Sequence, residues 1–312
     1  MRTEQEIFNE LEVIAAQEGF WEVIAFFCWK DTFIHLSGEK LDAEAFAQTF
    51  DRTRLSRTEI STLFGLACKR GFSDNQLSSD ELKERAEHVW RLLDELHHSF
   101  YPPLDFVTLS EKIGSNDGND IPDFGEFMRE LDPNRDKNHF MREAIFYGGD
   151  GVFKHQYRDL AKRRYSRDED WIEANKRFKI SQAVDVISAI EQIQLEKYNQ
   201  LASSAKSWPL PYHLPIFIFT TSEVVTRSDL GEEVVEAVIA ALSAKPEEGM
   251  KCFKSVDDFN HRNAFPIIKI GEDTFVSFQA YSLWGALYES PFFWFNEDKA
   301  YKYIARKHRG AF

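Results

Sequence analysis

Apolar residues in the first hundred positions recur every three to four residues, the spacing of one face of an α-helix. Ile7, Leu11 and Ile14 share such a face, with Thr3 and Glu6 at capping-box spacing in front and Gly19 behind. From Trp21 to about Leu36 the apolar positions fall on nearly every side, which predicts a helix at the centre of a core. Asp42 to Phe50 has the length and pattern of a short helix. Ser56 and Glu59 form a second capping box before Ile60, Leu63, Phe64 and Ala67, closing at Gly71. Ser78 and Glu81 form a third, opening a long helix through Leu82, Ala86, Val89, Leu93 and Leu96 that Pro102 and Pro103 stop.

The periodicity fades over residues 101–138, where Gly, Asn, Asp and Pro cluster; this predicts a long surface connection with one helical turn near Phe124 to Leu131. A helical pattern returns at Phe140 to Tyr147 and breaks at Gly148 and Gly149. Ser181 then caps a helix carrying Ala183, Val186, Ile190, Ile193, Tyr198 and Leu201. Three prolines between Trp208 and Pro215 rule out its continuation and set a domain boundary, so residues 1–207 read as a helical domain. Residues 208–281 change in kind: a short helix from Ser222, a turn at Ser228–Gly231, a helix over Glu232–Leu242, and a β-hairpin over 265–279 around Gly271–Asp273. Helix, turn, helix, hairpin is the element order of a winged helix. Residues 282–312 read as an aromatic helix and a basic tail. The predicted fold class is therefore mainly α: a helical amino-terminal domain, a small α+β winged-helix-like domain and a helical carboxy-terminal segment.

Composition changes this picture little. The chain has 312 residues, 43% of them apolar and 29% charged, as expected of a globular protein with a sizeable core. Phe is unusually frequent at 28 residues, which implies either a Phe-rich core or a large partner surface. A net charge of -14 repels phosphate backbones, so contact with DNA is expected only locally. Three widely spaced cysteines, Cys28, Cys68 and Cys252, fit a reduced interior, and the charged amino terminus lacks the apolar core of a signal peptide. No apolar run approaches membrane-spanning length, so the expectation is a cytoplasmic protein without a membrane partner.

Candidate chemistry is sparse. A DNA-reading helix presents Arg, Lys, Asn or Gln to base edges, whereas the second helix of the winged-helix-like segment begins Glu232-Glu233 and adds Glu236. That acidic helix disfavours a DNA-binding regulator and points to protein as the partner of this face. Asp132, Asn134, Asp136, Asn138 and Glu143 superficially match a calcium loop, but Lys137 stands where the turn needs glycine. His97 and His98 lack the spacing of a zinc site, and Gly148-Gly-Asp-Gly151 lacks the lysine and serine of a phosphate loop. No metal or cofactor is therefore expected. If the chain is an enzyme in its own right, a hydrolase for instance, the candidates are Glu143, Asp150, His155 and Asp159, in a cleft between the two domains.

The end of the chain is its most unusual part. Trp284, Tyr288, Phe292, Phe293, Trp294 and Phe295 place six aromatics within twelve residues. Such a stretch predicts an exposed patch where a further domain, a separate subunit or a second copy docks. Lys299, Lys302, Arg306, Lys307 and Arg309 then follow with no acid among them, the one place where nucleic-acid contact is expected.

Several phrases together resemble a known group. They are Arg57-Thr-Glu-Ile-Ser-Thr-Leu-Phe-Gly-Leu66, Arg142-Glu-Ala-Ile-Phe-Tyr-Gly-Gly149, Gln156-Tyr-Arg-Asp159, Ala280-Tyr-Ser-Leu283, Ala286-Leu-Tyr-Glu-Ser-Pro-Phe-Phe-Trp294 and Lys307-His-Arg-Gly310. They are similar to the amino-terminal region of large uncharacterised bacterial proteins in which a segment like Lys-His-Arg-Gly leads into a restriction-endonuclease-like, nuclease-related domain. Residues 105–138 have no counterpart there. The resemblance implies a non-catalytic regulatory or scaffolding region of a bacterial nuclease, acting in defence against foreign DNA, whose catalytic acids lie after Phe312.

Overall fold

The computed structural model describes residues 2–35, 57–100, 154–204, 211–244 and 250–309. The expected helices at 42–50 and 140–147, the Ser56 cap, the 101–138 connection, the calcium-like loop and Gly148–Gly151 lie outside them. The described chain is mainly helical, with one small antiparallel sheet. No described helix is long and apolar enough to cross a membrane.

The amino-terminal helices follow from their caps. In α1 (Glu4–Ala15) the Thr3 hydroxyl accepts from the Glu6 amide, and the Glu6 carboxylate accepts from the Thr3 amide at 2.7 Å. Two otherwise orphaned donors are thereby satisfied. Ile7, Phe8, Leu11 and Ile14 face inward. Gly19, at φ +78°, turns the chain into α2 (Phe20–His35), and a Cβ there would lie 2.4 Å from the Leu77 side chain. Both conformation and space therefore demand glycine. The first half of α2 is buried on all sides, from Phe20 through Ala25, as its apolar pattern on nearly every side predicts. α3 (Arg57–Cys68) and α4 (Ser79–Phe100) complete this layer; Ser78 and Glu81 form the expected capping box at the start of α4.

A second group of helices comprises α5 (Lys154–Arg164), α6 (Glu169–Lys176) and the long α7 (Ile180–Ser204). The helix expected to be capped by Ser181 instead begins at Ile180, with the Gln182 side chain accepting from the Lys179 amide at 2.8 Å. After a 3-10 turn at Leu214–Phe217 comes β1 (Ile218–Thr220), a strand too short to stand out beside the prolines that precede it. Then follow α8 (Thr221–Ser228), α9 (Glu232–Leu242), β2 (Ile268–Lys269), β3 (Thr274–Val276), α10 (Ala280–Glu297) and α11 (Tyr301–Arg309). The two expected helices and the hairpin are present, though the strands are shorter than 265–279.

The sheet runs in the order β1-β3-β2, all neighbours antiparallel. Its register explains its position. Ile218, Val276 and Ile268 are cross-strand partners and pack on the cluster built from α1–α4. Phe219 and Phe275 are partners on the other face, stacked at 5.9 Å, and pack on the cluster built from α5–α11. With a side-chain period of two, one thin sheet serves two cores. The apolar clusters do not divide at residue 208. Leu214, Phe217 and Phe278 pack with α1–α4, whereas α7 gives Ile180–Ile193 to the second cluster and Tyr198 to the first.

Candidate functional site

α5 carries His155, Arg158, Asp159 and Lys162 at positions i, i+3, i+4 and i+7, which places them along one helix face. With Val184, Asp185 and Ser188 of α7 and Trp284 of α10 they line a groove of about 590 Å³. Two of the four sequence-predicted catalytic candidates, His155 and Asp159, thus sit one turn apart; Glu143 and Asp150 lie outside the described residues. Arg158 grips Asp159 through two bonds, Nε to Oδ1 at 2.7 Å and a terminal nitrogen to Oδ2 at 3.1 Å. That hydrogen bonding, and then the charges of Arg158, His155 and Lys162, hold the Asp159 carboxyl below its ordinary range. A general acid needs the opposite shift. The Trp284 indole is fixed by donation to Glu191 Oε2 at 3.0 Å.

The six aromatics of the terminal region do not form the expected exposed patch. α10 is apolar around most of its circumference, and such a helix is buried. Trp284, Trp294 and Phe295 lie in the second core. Trp294 donates its indole N–H to the Ala241 carbonyl at 3.1 Å and meets Phe178 edge-on at 5.8 Å. Phe295 packs between Trp171 and Tyr165. Tyr288 is half-buried beneath the Arg164 guanidinium, 4.5 Å from its ring. Of the six, Phe292 alone is exposed, next to a half-buried Phe293 that touches Phe259, His261 and Phe265.

The basic tail is an ordered helix. Asp298 accepts from the amides of Ala300 and Tyr301, each at 2.9 Å, and from the Trp171 indole at 3.0 Å. These bonds, the Tyr301 amide foremost, hold its carboxyl below the ordinary range. Tyr301 stacks on Trp171 at 5.0 Å, and its phenol donates to Asp168 Oδ1 at 2.7 Å. His308 Nδ1–H donates to the same oxygen at 2.7 Å. Burial, with Asp168 adding to it, pushes the Tyr301 phenol up. Lys299, Arg306 and Lys307 are exposed and Lys302 is half-buried; of Arg309 only the backbone is described.

α9 buries Val235, Val238, Ile239 and Leu242 and turns Glu232, Glu233 and Glu236 to solvent. The hairpin tip adds exposed Glu272 and Asp273, the latter accepting from the Thr221 amide at 3.1 Å.

Two buried polar centres escaped the sequence pattern. Glu22, fully buried in α2, accepts from the His213 amide at 2.8 Å, His213 Nδ1–H at 2.7 Å and the Leu214 amide at 2.9 Å. His213 Nε2 has no described partner. The signal was a lone acid in the otherwise apolar first half of the helix, which must find donors if the helix is central. Asp168, equally buried, sits where the sequence shows only an acidic run after a basic one. Nothing local marks it as the anchor of a helix 130 residues on.

No family model matches this chain, and neither a curated protein nor a solved structure does.

Proposed function

We propose that the chain is a non-catalytic, cytoplasmic regulatory or scaffolding region that works beside a nuclease domain, in the same polypeptide or as a separate subunit, through protein contacts. The resemblance of several phrases to nuclease-linked bacterial proteins suggests the setting. The observation that carries the reading is the outward face of α9. The succession α7, β1, α8, α9, β2, β3, with the sheet ordered β1-β3-β2, supports reading this part as winged-helix-like, with α9 as the counterpart of a recognition helix. Where a DNA reader has cations and amides, α9 presents Glu232, Glu233 and Glu236, and the wing-like tip presents Glu272 and Asp273. Such a surface repels phosphate and complements a basic protein face. In the His155–Asp159 groove the acid is held by Arg158, which disfavours it as a general acid.

Calorimetric titration of a separately produced nuclease-related domain of the resembled kind tests the reading. Saturable binding is expected, weakened at least tenfold in the Glu232→Lys/Glu233→Lys/Glu236→Lys variant. Absence of binding, or equal binding by the variant, contradicts it.

A further inference from the structure

α11 divides into two faces. Tyr301, Ala305 and His308 turn inward onto the second core and Asp168. At 100° per residue, Lys302, Arg306, Tyr303 and Lys307 follow one another around the opposite arc. Tyr303 is 59% exposed, and the Lys302 ammonium sits 5.0 Å from its ring centroid on one side. None of the three cations makes an ion pair with a described residue. Lys302 and Arg306 are one turn apart, as are Tyr303 and Lys307, so charges and ring repeat about 6 Å along the axis.

Helix stability does not account for this pattern. Cations near a helix carboxyl end complement the macrodipole, which covers Arg306 and Lys307. Lys299 and Lys302 flank the amino end, where cations oppose it, and no acid stands in the first turn. In a chain with 52 acids against 38 bases, the acid-free run from 299 to 309 is a local reversal of sign. It is held rigidly by the Asp298 cap, the Trp171–Tyr301 stack and the two bonds to buried Asp168. Little backbone ordering entropy therefore remains to be lost on binding.

We propose that the outer face of α11 docks single-stranded nucleic acid. Phosphates lie on Lys302, Arg306 and Lys307, and an unpaired base stacks on the open face of Tyr303. An exposed aromatic set among cations is the arrangement that binds single strands without sequence preference. A duplex offers the phosphates without the base face. The proposal uses a surface separate from α9 and stands whether or not the reading given for α9 holds.

The test is fluorescence anisotropy of a labelled twenty-nucleotide oligo(dT) with the full chain between 20 and 200 mM KCl. Binding is expected, weakening with salt and outcompeting a duplex of equal length. The Lys302→Gln/Arg306→Gln/Lys307→Gln variant is expected to flatten the plot of log affinity against log salt by roughly two, since each single-strand phosphate contact contributes about 0.7. Tyr303→Ala is expected to cost fivefold or more at unchanged slope. Unchanged circular dichroism and melting temperature keep both variants interpretable. Absence of oligo(dT) binding at 20 mM KCl overturns the proposal, as does an unaltered slope in the triple variant. Binding solely to phosphatidylserine vesicles, or salt-sensitive self-association without oligonucleotide binding, overturns it equally.

Discussion

Glu22 accepts three hydrogen bonds inside a core that leaves it 1% exposed. Removing the carboxylate strands two backbone amides and an imidazole N–H, each costing about 1–3 kcal/mol when buried without a partner. Glu22→Ala is therefore expected to lower unfolding free energy by roughly 3–5 kcal/mol in urea titrations, whereas a neighbouring exposed change such as Glu18→Ala stays within about 0.5 kcal/mol. Gly19 is the second position where a single atom decides. Gly19→Ala forces a left-handed alanine against Leu77 and is expected to cost at least roughly 1–2 kcal/mol by the same titration. Asp298 supplies the pH dependence. Its folded carboxyl is held below the ordinary range, so its contribution is complete above that range and is lost as pH falls through the lowered folded value. Asp298→Asn is expected to shrink the acid-side loss of melting temperature while lowering stability at neutral pH; an acid limb identical to that of the parent chain contradicts the assignment.

The helix α10 shows why a strongly patterned element can be read correctly and placed wrongly. Its aromatic density was legible, but density alone does not separate a core from an interface. What decides is the apolar faces that α5, α6, α7 and α9 present to it, and these come from residues up to 130 positions away. Burial gives Trp294 a structural task, so Trp294→Ala is expected to cost about 3–5 kcal/mol of stability. A normally folded variant with altered self-association contradicts that placement. Local elements were legible wherever their chemistry is local: the Thr3–Glu6 and Ser78–Glu81 boxes, the turn at Gly19, α9 and the hairpin around Gly271. β1 was missed because three residues among prolines carry too little pattern, and its identity as a strand comes from pairing with β3, 56 residues later. Of the candidate sites, the acidity of α9 and the cations of α11 were visible as strings of like charge. The Asp168–His308 and Glu22–His213 bonds join residues 140 and 191 positions apart, beyond any local signal.

The molecule as a whole carries two cores on opposite faces of one thin sheet and opposite charge on two of its surfaces. α9 with the hairpin tip is anionic, and α11 is cationic. In a chain of net charge -14 the overall field disfavours phosphate backbones, so the proposed strand contact is local to α11 and the proposed partner of α9 is a basic protein face. The most direct measurement is amide hydrogen exchange of the full chain with and without the nuclease-related domain. The account predicts new protection at the start of α9 and at the hairpin tip around Gly271–Asp273, with residues 284–295 unchanged because they are already buried. Protection confined to 284–295, or none anywhere at saturating partner, would contradict it.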